Sequence, residues 1–474
     1  SIARGSVALD IDPPAWLSQV EDPYDPGVRD AMAAQTGAPA LVDAAYFAGR
    51  YYVYFGVVPE VLLYLPYYLA TGLDFPNAFA VIIGSLLFAI GLYALLKSVV
   101  RTYFPRTSLG VFLLVYLGVF ACSGILFGLG RPTLYQVPIA FARAFVVWAL
   151  YLWLEGWRRS NALCIAGGSL CIALVAGCRP QFLLFAACAV PMLVTFVRGR
   201  AGGMVEANVV SGVRGEGEAP LRGTSCIRFL AALVLPVLVV AGGLMWYNAV
   251  RFGSPFDFGA SRNLAGNNMQ LRGFDPARLV DGLFLYLLQP PAFSTVFPFL
   301  MPADASTTYA GMTIIEPLAG GLLVSQPFLW FLLMTGRVRH RNPRMYAAVI
   351  GFGVAGLLVC CFDIQASGIL GRYYQDIGLY FACAAALVVL ALLHESPADI
   401  CTDADSGPLV SSEARSIQPA DSLLVGLLYA AVAFTFFYFL LVFFLTFDNA
   451  ACNTMAGSDP ATWEYLRQTF SWWL

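Results

Sequence analysis

Seven carboxylates fall within the first 43 residues of the 474-residue chain: Asp10, Asp12, Glu21, Asp22, Asp25, Asp30 and Asp43. The aromatic run Tyr46-Phe-Ala-Gly-Arg-Tyr-Tyr-Val-Tyr-Phe-Gly56 follows at once and carries Arg50, Tyr51 and Tyr52. Pro-Tyr-Asp-Pro (23–26) fits a turn, and compact turn chemistry beside a membrane surface suits a site. Asp10 and Asp12, two residues apart, could also hold a divalent cation weakly, Mg or Mn by ligand type. The plain alternative is a solvated acidic loop followed by an aromatic belt at lipid headgroups.

Arginines form the second set. Arg131 stands in Gly-Arg-Pro-Thr, Arg179 in Gly-Cys-Arg-Pro, and Arg372 in Gly-Arg-Tyr-Tyr-Gln-Asp376, which also supplies Tyr373 and Asp376. A guanidinium in such a position can pair with a carboxylate or hold a phosphate through two parallel hydrogen bonds. Pairing within the protein is the default for each, and three at one level favour an anionic ligand. Asn248 and Arg251, in Trp246-Tyr-Asn-Ala-Val-Arg-Phe-Gly-Ser-Pro-Phe256, suit sugar or phosphate recognition and suit an ordinary folded loop equally. The run Ser261–Asn268 continues that polar segment. Arg143 lies seven residues into an apolar stretch and needs a partner inside the protein.

The elements that must position these residues are membrane helices. Hydrophobic residues make up 59% of the chain and charged residues 12%, about half the charge that a soluble protein of this size carries. Apolar runs of about 20 residues, enough to cross a core of roughly 30 Å, give ten spans: 76–98, 108–130, 136–157, 161–178, 181–197, 229–250, 315–336, 345–363, 376–394 and 422–447. The expected fold is all-α, a polytopic transmembrane helical bundle.

Charge bias orients it. With 51–72 read as an interfacial or re-entrant segment rather than a span, 15 of the 27 basic residues fall inside, 11 outside, and Arg143 within a span; basic residues concentrate on the inner side. Segments 1–75, 131–135, 251–314, 364–375 and 448–474 are then outside. Loops 199–228 and 395–421, polar and without apolar periodicity, are inside. Helices occupy 76–250 and 315–447 between these loops. The chain opens on Ser1 in polar sequence, so a first helix is expected to precede it, a removed signal peptide being the other explanation.

Other chemistries are disfavoured. His340 and His394, the two histidines, adjoin expected inner ends, which argues against an outer zinc site or a Ser-His triad. Most of the 11 cysteines fall inside apolar runs without ligand spacing. A net charge of -2 gives no reason to expect nucleic acid.

Taken together, an acidic outer loop, an aromatic-Gly-basic element and a proline-containing interfacial run resemble the GT-C class of integral membrane glycosyltransferases. The motifs Asp22-Pro-Tyr-Asp-Pro26, Asp43-x-x-Tyr-x-x-Gly-Arg-Tyr-Tyr-x-Tyr-Phe-Gly-x-x-Pro59, Gly130-Arg-Pro-Thr, Tyr247-Asn through Phe256, and Gly371-Arg-Tyr through Asp376 are most similar to uncharacterised bacterial membrane proteins placed in that class. The resemblance implies a polyprenyl-phosphate-linked sugar as donor and a cell-envelope glycan, lipid or protein as acceptor, in a bacterial inner or plasma membrane. It implies an aspartate base, Asp10, Asp12 or Asp43, and phosphate binding by Arg131, Arg179 and Arg372. Arg50, Tyr51 and Tyr52 would line the entrance, with Asn248, Arg251, Tyr373 and Asp376 also contacting substrate. Some members of the class use a divalent cation. The acid in that class commonly follows the first helix, which here would lie before Ser1. A transporter or flippase for a lipid-linked sugar, or a non-catalytic component of envelope assembly, would share much of this composition.

Overall fold

The computed structural model describes residues 2–54, 56–194, 223–271, 273–302, 308–309, 312–313, 318–394, 419–445 and 459–471. These residues are predominantly helical, and their strands form three two-stranded hairpins. Most of the loops expected inside, 199–228 and 395–421, lies outside the described residues.

Among the described residues six helices are long and apolar enough to cross a membrane: Asn77–Tyr103, Gln136–Arg158, Ile227–Phe252, Pro343–Ala366, Gly371–Leu393 and Ser422–Phe443. Each coincides with an expected span, and the chain is a membrane protein on that ground. The expected ten spans are not all continuous helices. The 108–130 run is cut into Leu109–Cys122 and Ile125–Gly130 by Gly124, whose φ of 73° is left-handed. The 161–178 run is helical only over Ala162–Val175, about 21 Å at 1.5 Å per residue. The 181–197 run begins as a 3-10 helix, Pro180–Ala189, and the 315–336 run is broken into Leu322–Ser325 and a 3-10 helix Pro327–Met334. Apolar content sets the hydropathy of such a run, whereas Gly and Pro set where its hydrogen bonds stop. A 3-10 helix rises about 2.0 Å per residue, so these segments extend farther than their residue counts suggest.

The segment 51–72 is no simple span. It holds one strand of a hairpin and then a short apolar helix, Val57–Thr71, whose residues Glu60–Tyr64 are wound as a π-helix.

Two compact units divide the chain. The first comprises Ser1–Gly91, Pro132–Ala277 and Thr308–Thr313; the second comprises Leu92–Arg131, Arg278–Thr307 and Ile314–Leu474. In the first, helix Ala162–Val175 packs against both Gln136–Arg158 and Gly223–Phe252. In the second, Gly371–Leu393 is the central helix, with 83% of its apolar window buried. It packs against Pro343–Ser367, Leu109–Cys122 and Pro327–Met334. Ser108, Asn161 and Asn342 cap three helices at the expected inner side, each accepting from the backbone N–H of the first turn.

The hydrogen bonds that join distant loops link segments expected on the same side. In the first unit Asp43, Tyr135 and Asn263 meet, as do Arg29 and Ala265, Arg251 and Val53, and Asp22 and Asn268. In the second, Tyr286 bonds to Leu370, Tyr374 to Gly320, and Phe297 to Ser471. Every one of these residues lies in a segment, or at a span end, expected outside. Arg341 donates to the Leu392 carbonyl and Phe104 packs on His394, all expected inside.

The seat of the Gly124 break is tight. A Cβ placed on Gly378 would lie 2.3 Å from the Cys122 carbonyl oxygen, whereas one on Gly353 meets nothing within 4 Å. Gly378→Ala is expected to lower the thermal midpoint in detergent by the equivalent of about 1–3 kcal/mol. Gly353→Ala should leave it unchanged or slightly raised; equal effects from the two would show that the contact is not tight.

Candidate outer-face site in the first unit

The aromatic run folds as a hairpin. Ala45–Phe47 pairs with Arg50–Tyr52, with Ala45 opposite Tyr52, Tyr46 opposite Tyr51 and Phe47 opposite Arg50. Ala48 and Gly49 both have positive φ, 48° and 74°, which is the two-residue turn that matches strand twist. Because strand side chains alternate in direction, the hairpin feeds two clusters. Tyr46 and Tyr51 pack with Trp16, Leu17 and Leu264, while Ala45 and Tyr52 pack with Ala8 and Phe252.

Asp43 stands at the head of the hairpin with φ 59°, a left-handed conformation that Asp tolerates better than most residues. Its N–H donates to the Leu264 carbonyl at 3.1 Å, and the Leu264 N–H returns to Ala44 at 3.0 Å. Ala45 bridges Asn263 as a stub of antiparallel sheet. This backbone pairing sets Asn263 beside Asp43, and its Nδ2 donates to Asp43 Oδ1 at 3.4 Å. The Tyr135 hydroxyl, from the residue preceding helix Gln136–Arg158, donates to Asp43 Oδ2. Asn263 is 1% exposed and its Oδ1 has no hydrogen-bond partner among the described residues. The amide is oriented by Asp43, since the reverse orientation would set two oxygens face to face.

Arginines hold the surrounding layer. Arg29 is buried and donates to the carbonyls of Pro23, Tyr24 and Ala265. Arg262 donates to Asp257 at 2.7 Å and lies 3.9 Å over the Phe47 ring. Asn268 donates to Asp22 at 3.0 Å.

The expected site residues separate into groups. Asp10 is exposed and ion-paired with Arg4 at 2.6 Å; Asp12 and Arg50 are exposed. Tyr51 and Tyr52 are buried at 1% and 6% exposure. The Tyr51 hydroxyl accepts from the Leu41 N–H at 3.1 Å. These two rings therefore pack the layer from within. Asn248 donates to the Pro255 carbonyl, and Arg251 donates to Asn248 and to the Val53 carbonyl while stacking 3.9 Å over Tyr247. Both are buried braces of the hairpin's exit. Arg179 is half-buried where the Pro180–Ala189 helix begins.

The second unit holds the others. Arg131 is buried, stacked 4.6 Å over Phe127, with Nη2 3.5 Å from the Leu445 carbonyl oxygen. Arg372 is half-buried beside the Tyr373 ring, and Tyr373 and Asp376 are buried. Among the described residues no three His, Cys, Asp or Glu side chains gather as a metal cage.

Tyr135, Asn263, Arg29 and Arg262 carry this arrangement and were not singled out in the sequence. Asn263 and Arg262 sit in the polar run 261–268, and Tyr135 closes an expected outer turn, which were the available signals. Arg29 gave none. No family model matches the chain, and no curated protein or solved structure shows a significant similarity to it.

Burial raises the phenols of Tyr24, Tyr46 and Tyr51 above their usual value near 10. The unfolded chain loses those protons first, so above about pH 10 the folded layer binds more protons and its stability falls with rising pH. Limited proteolysis of residues 2–54 in alkaline buffer is expected to accelerate together with the appearance of tyrosinate absorbance from these rings. Ionisation of all the tyrosines near pH 10 with no gain in cleavage would contradict the packing.

Proposed function

We propose that this membrane protein is a glycosyltransferase of the GT-C kind, moving a sugar from a polyprenyl-phosphate carrier to a hydroxyl-bearing cell-envelope acceptor on the outer face. The observation that supports the reading is the Asp43 carboxylate. It is half-buried, at the edge of an aromatic hairpin, and fixed by two side chains from distant segments. An ionised carboxylate offers about four acceptor positions; Tyr135 and Asn263 occupy two and leave the rest for an acceptor hydroxyl.

Asp43 would take the proton of that hydroxyl as its oxygen bonds to the anomeric carbon. The bond from that carbon to the carrier phosphate breaks on the opposite side, and the phosphate departs with the electron pair. One displacement of this kind inverts the anomeric configuration. Tyr135 acts as a positioning residue, holding the carboxylate in its orientation. Among the arginines of this unit, Arg179 is assigned to the leaving phosphate, where positive charge is most effective. Arg131 and Arg372 are the anion-binding candidates of the second unit.

The test is consumption of radiolabelled polyprenyl-phosphate sugars by the protein in vesicles, with transfer or hydrolysis as the readout. Asp43→Asn should lower turnover by about 10²–10⁴-fold, while Asp10→Asn and Asp12→Asn together should retain it within a few-fold. Full activity in Asp43→Asn would remove the base assignment. Carrier movement across the bilayer without turnover would favour transport, and no binding of any carrier sugar would favour an assembly component.

A further inference from the structure

Helix Ala277–Leu287 of the expected outer segment has its apolar surface on the wrong side for a helix in water. Its residues Arg278, Gly282 and Tyr286, four apart and therefore on one stripe, are the buried ones. The parallel stripe Val280, Phe284 and Leu288 is 74%, 49% and 52% exposed, and Asp281 at its margin is exposed as well.

Packing fixes where this helix lies along the spans. A Cβ on Gly282 would meet Ile364 at 2.7 Å, three residues before the Pro343–Ser367 helix ends. The Tyr286 hydroxyl accepts from the Leu370 N–H at 2.9 Å and faces the carbonyl oxygens of Gly368 and Leu370 at 3.2 and 3.3 Å. Residues 368–370 are the link to the next span, Gly371–Leu393. The buried stripe therefore rests on the turn joining two membrane helices at their expected outer ends, and the exposed stripe leaves the protein at that level. Along Pro343–Ser367 the side chains leading up to the same turn are also bare apolar groups, Leu358 at 57% and Phe362 at 59% exposure. An exposed apolar helix face, anchored at the level where two spans meet and near a span that also bears bare apolar side chains, suits an in-plane interfacial helix.

We propose that Ala277–Leu287 is a membrane-interface helix that seats Val280, Phe284 and Leu288 in the acyl-chain boundary of the outer leaflet. Through the Tyr286 hydroxyl this seat is joined directly to residues 368–370, which precede Arg372. The inference does not depend on the glycosyltransferase reading.

The wild-type protein in vesicles of phosphatidylethanolamine and phosphatidylglycerol, doped with a phospholipid bearing a diazirine near the headgroup end of one acyl chain, provides the test. After irradiation, lipid adducts are mapped by mass spectrometry, and hydroxyl-radical oxidation is mapped on a parallel sample. Adducts on Val280, Phe284 and Leu288 at yields within a few-fold of those on Phe362, with little oxidation of Phe284, are the expected result. Adducts on Phe362 and Leu358 with none on 277–288 would overturn the proposal. Strong oxidation of Phe284 would then indicate a water-facing stripe, and protection from both reagents a stripe covered by protein.

Discussion

An apolar slab offers no water to a backbone N–H or carbonyl, so every interruption of a helix inside it must be satisfied by the protein itself. That constraint governs the second unit. Its two interrupted runs, at Ser123-Gly124 and at Gln326-Pro327, both involve helices packed on the central Gly371–Leu393 helix. Gly378 lets the Cys122 carbonyl come close, and the Gln375 side chain lies where a Cβ on Gly124 would be. The buried polar side chains of this region, Gln326, Gln375 and Asp376, cluster along the same helix start and the same breaks.

In the first unit, guanidinium groups satisfy loop carbonyls in the segments expected outside. Arg29 gathers carbonyls from residues 23, 24 and 265, and Arg251 reaches the carbonyl of Val53 and the amide of Asn248. Five donors in a fixed fork suit this bridging better than one ammonium does, and Lys97 is the only lysine in the chain. Rings cover the guanidinium faces, Tyr247 over Arg251 and Phe47 over Arg262. Arginines that look like anion ligands in a sequence can thus be spent on holding loops to a hairpin.

How much of this was legible depended on the range of the interaction. Six spans were visible because apolar content and length are local properties. The interruptions were visible only as single residues, Gly124 and Pro327, which an average over twenty positions hides. Burial of Tyr51 and Tyr52 follows from a hairpin with packed clusters on both faces, and an aromatic run beside a membrane reads equally well as a headgroup belt. Tyr135 and Asn263 approach Asp43 from 92 and 220 residues away, and no spacing rule reaches that far.

The acids of the first 43 residues differ in what holds them. Asp22 and Asp25 each accept from the backbone N–H two residues ahead, as do Asp257 and Asp275 in the later loop; these close local turns. Asp10 shares its charge with an exposed arginine, an interaction that solvent weakens. Asp43 is held by neither device. Its carboxylate is positioned by a phenol at the head of a spanning helix and by a buried amide that sheet pairing fixes in place. A carboxylate fixed through long-range contacts keeps its direction only while the whole layer is folded.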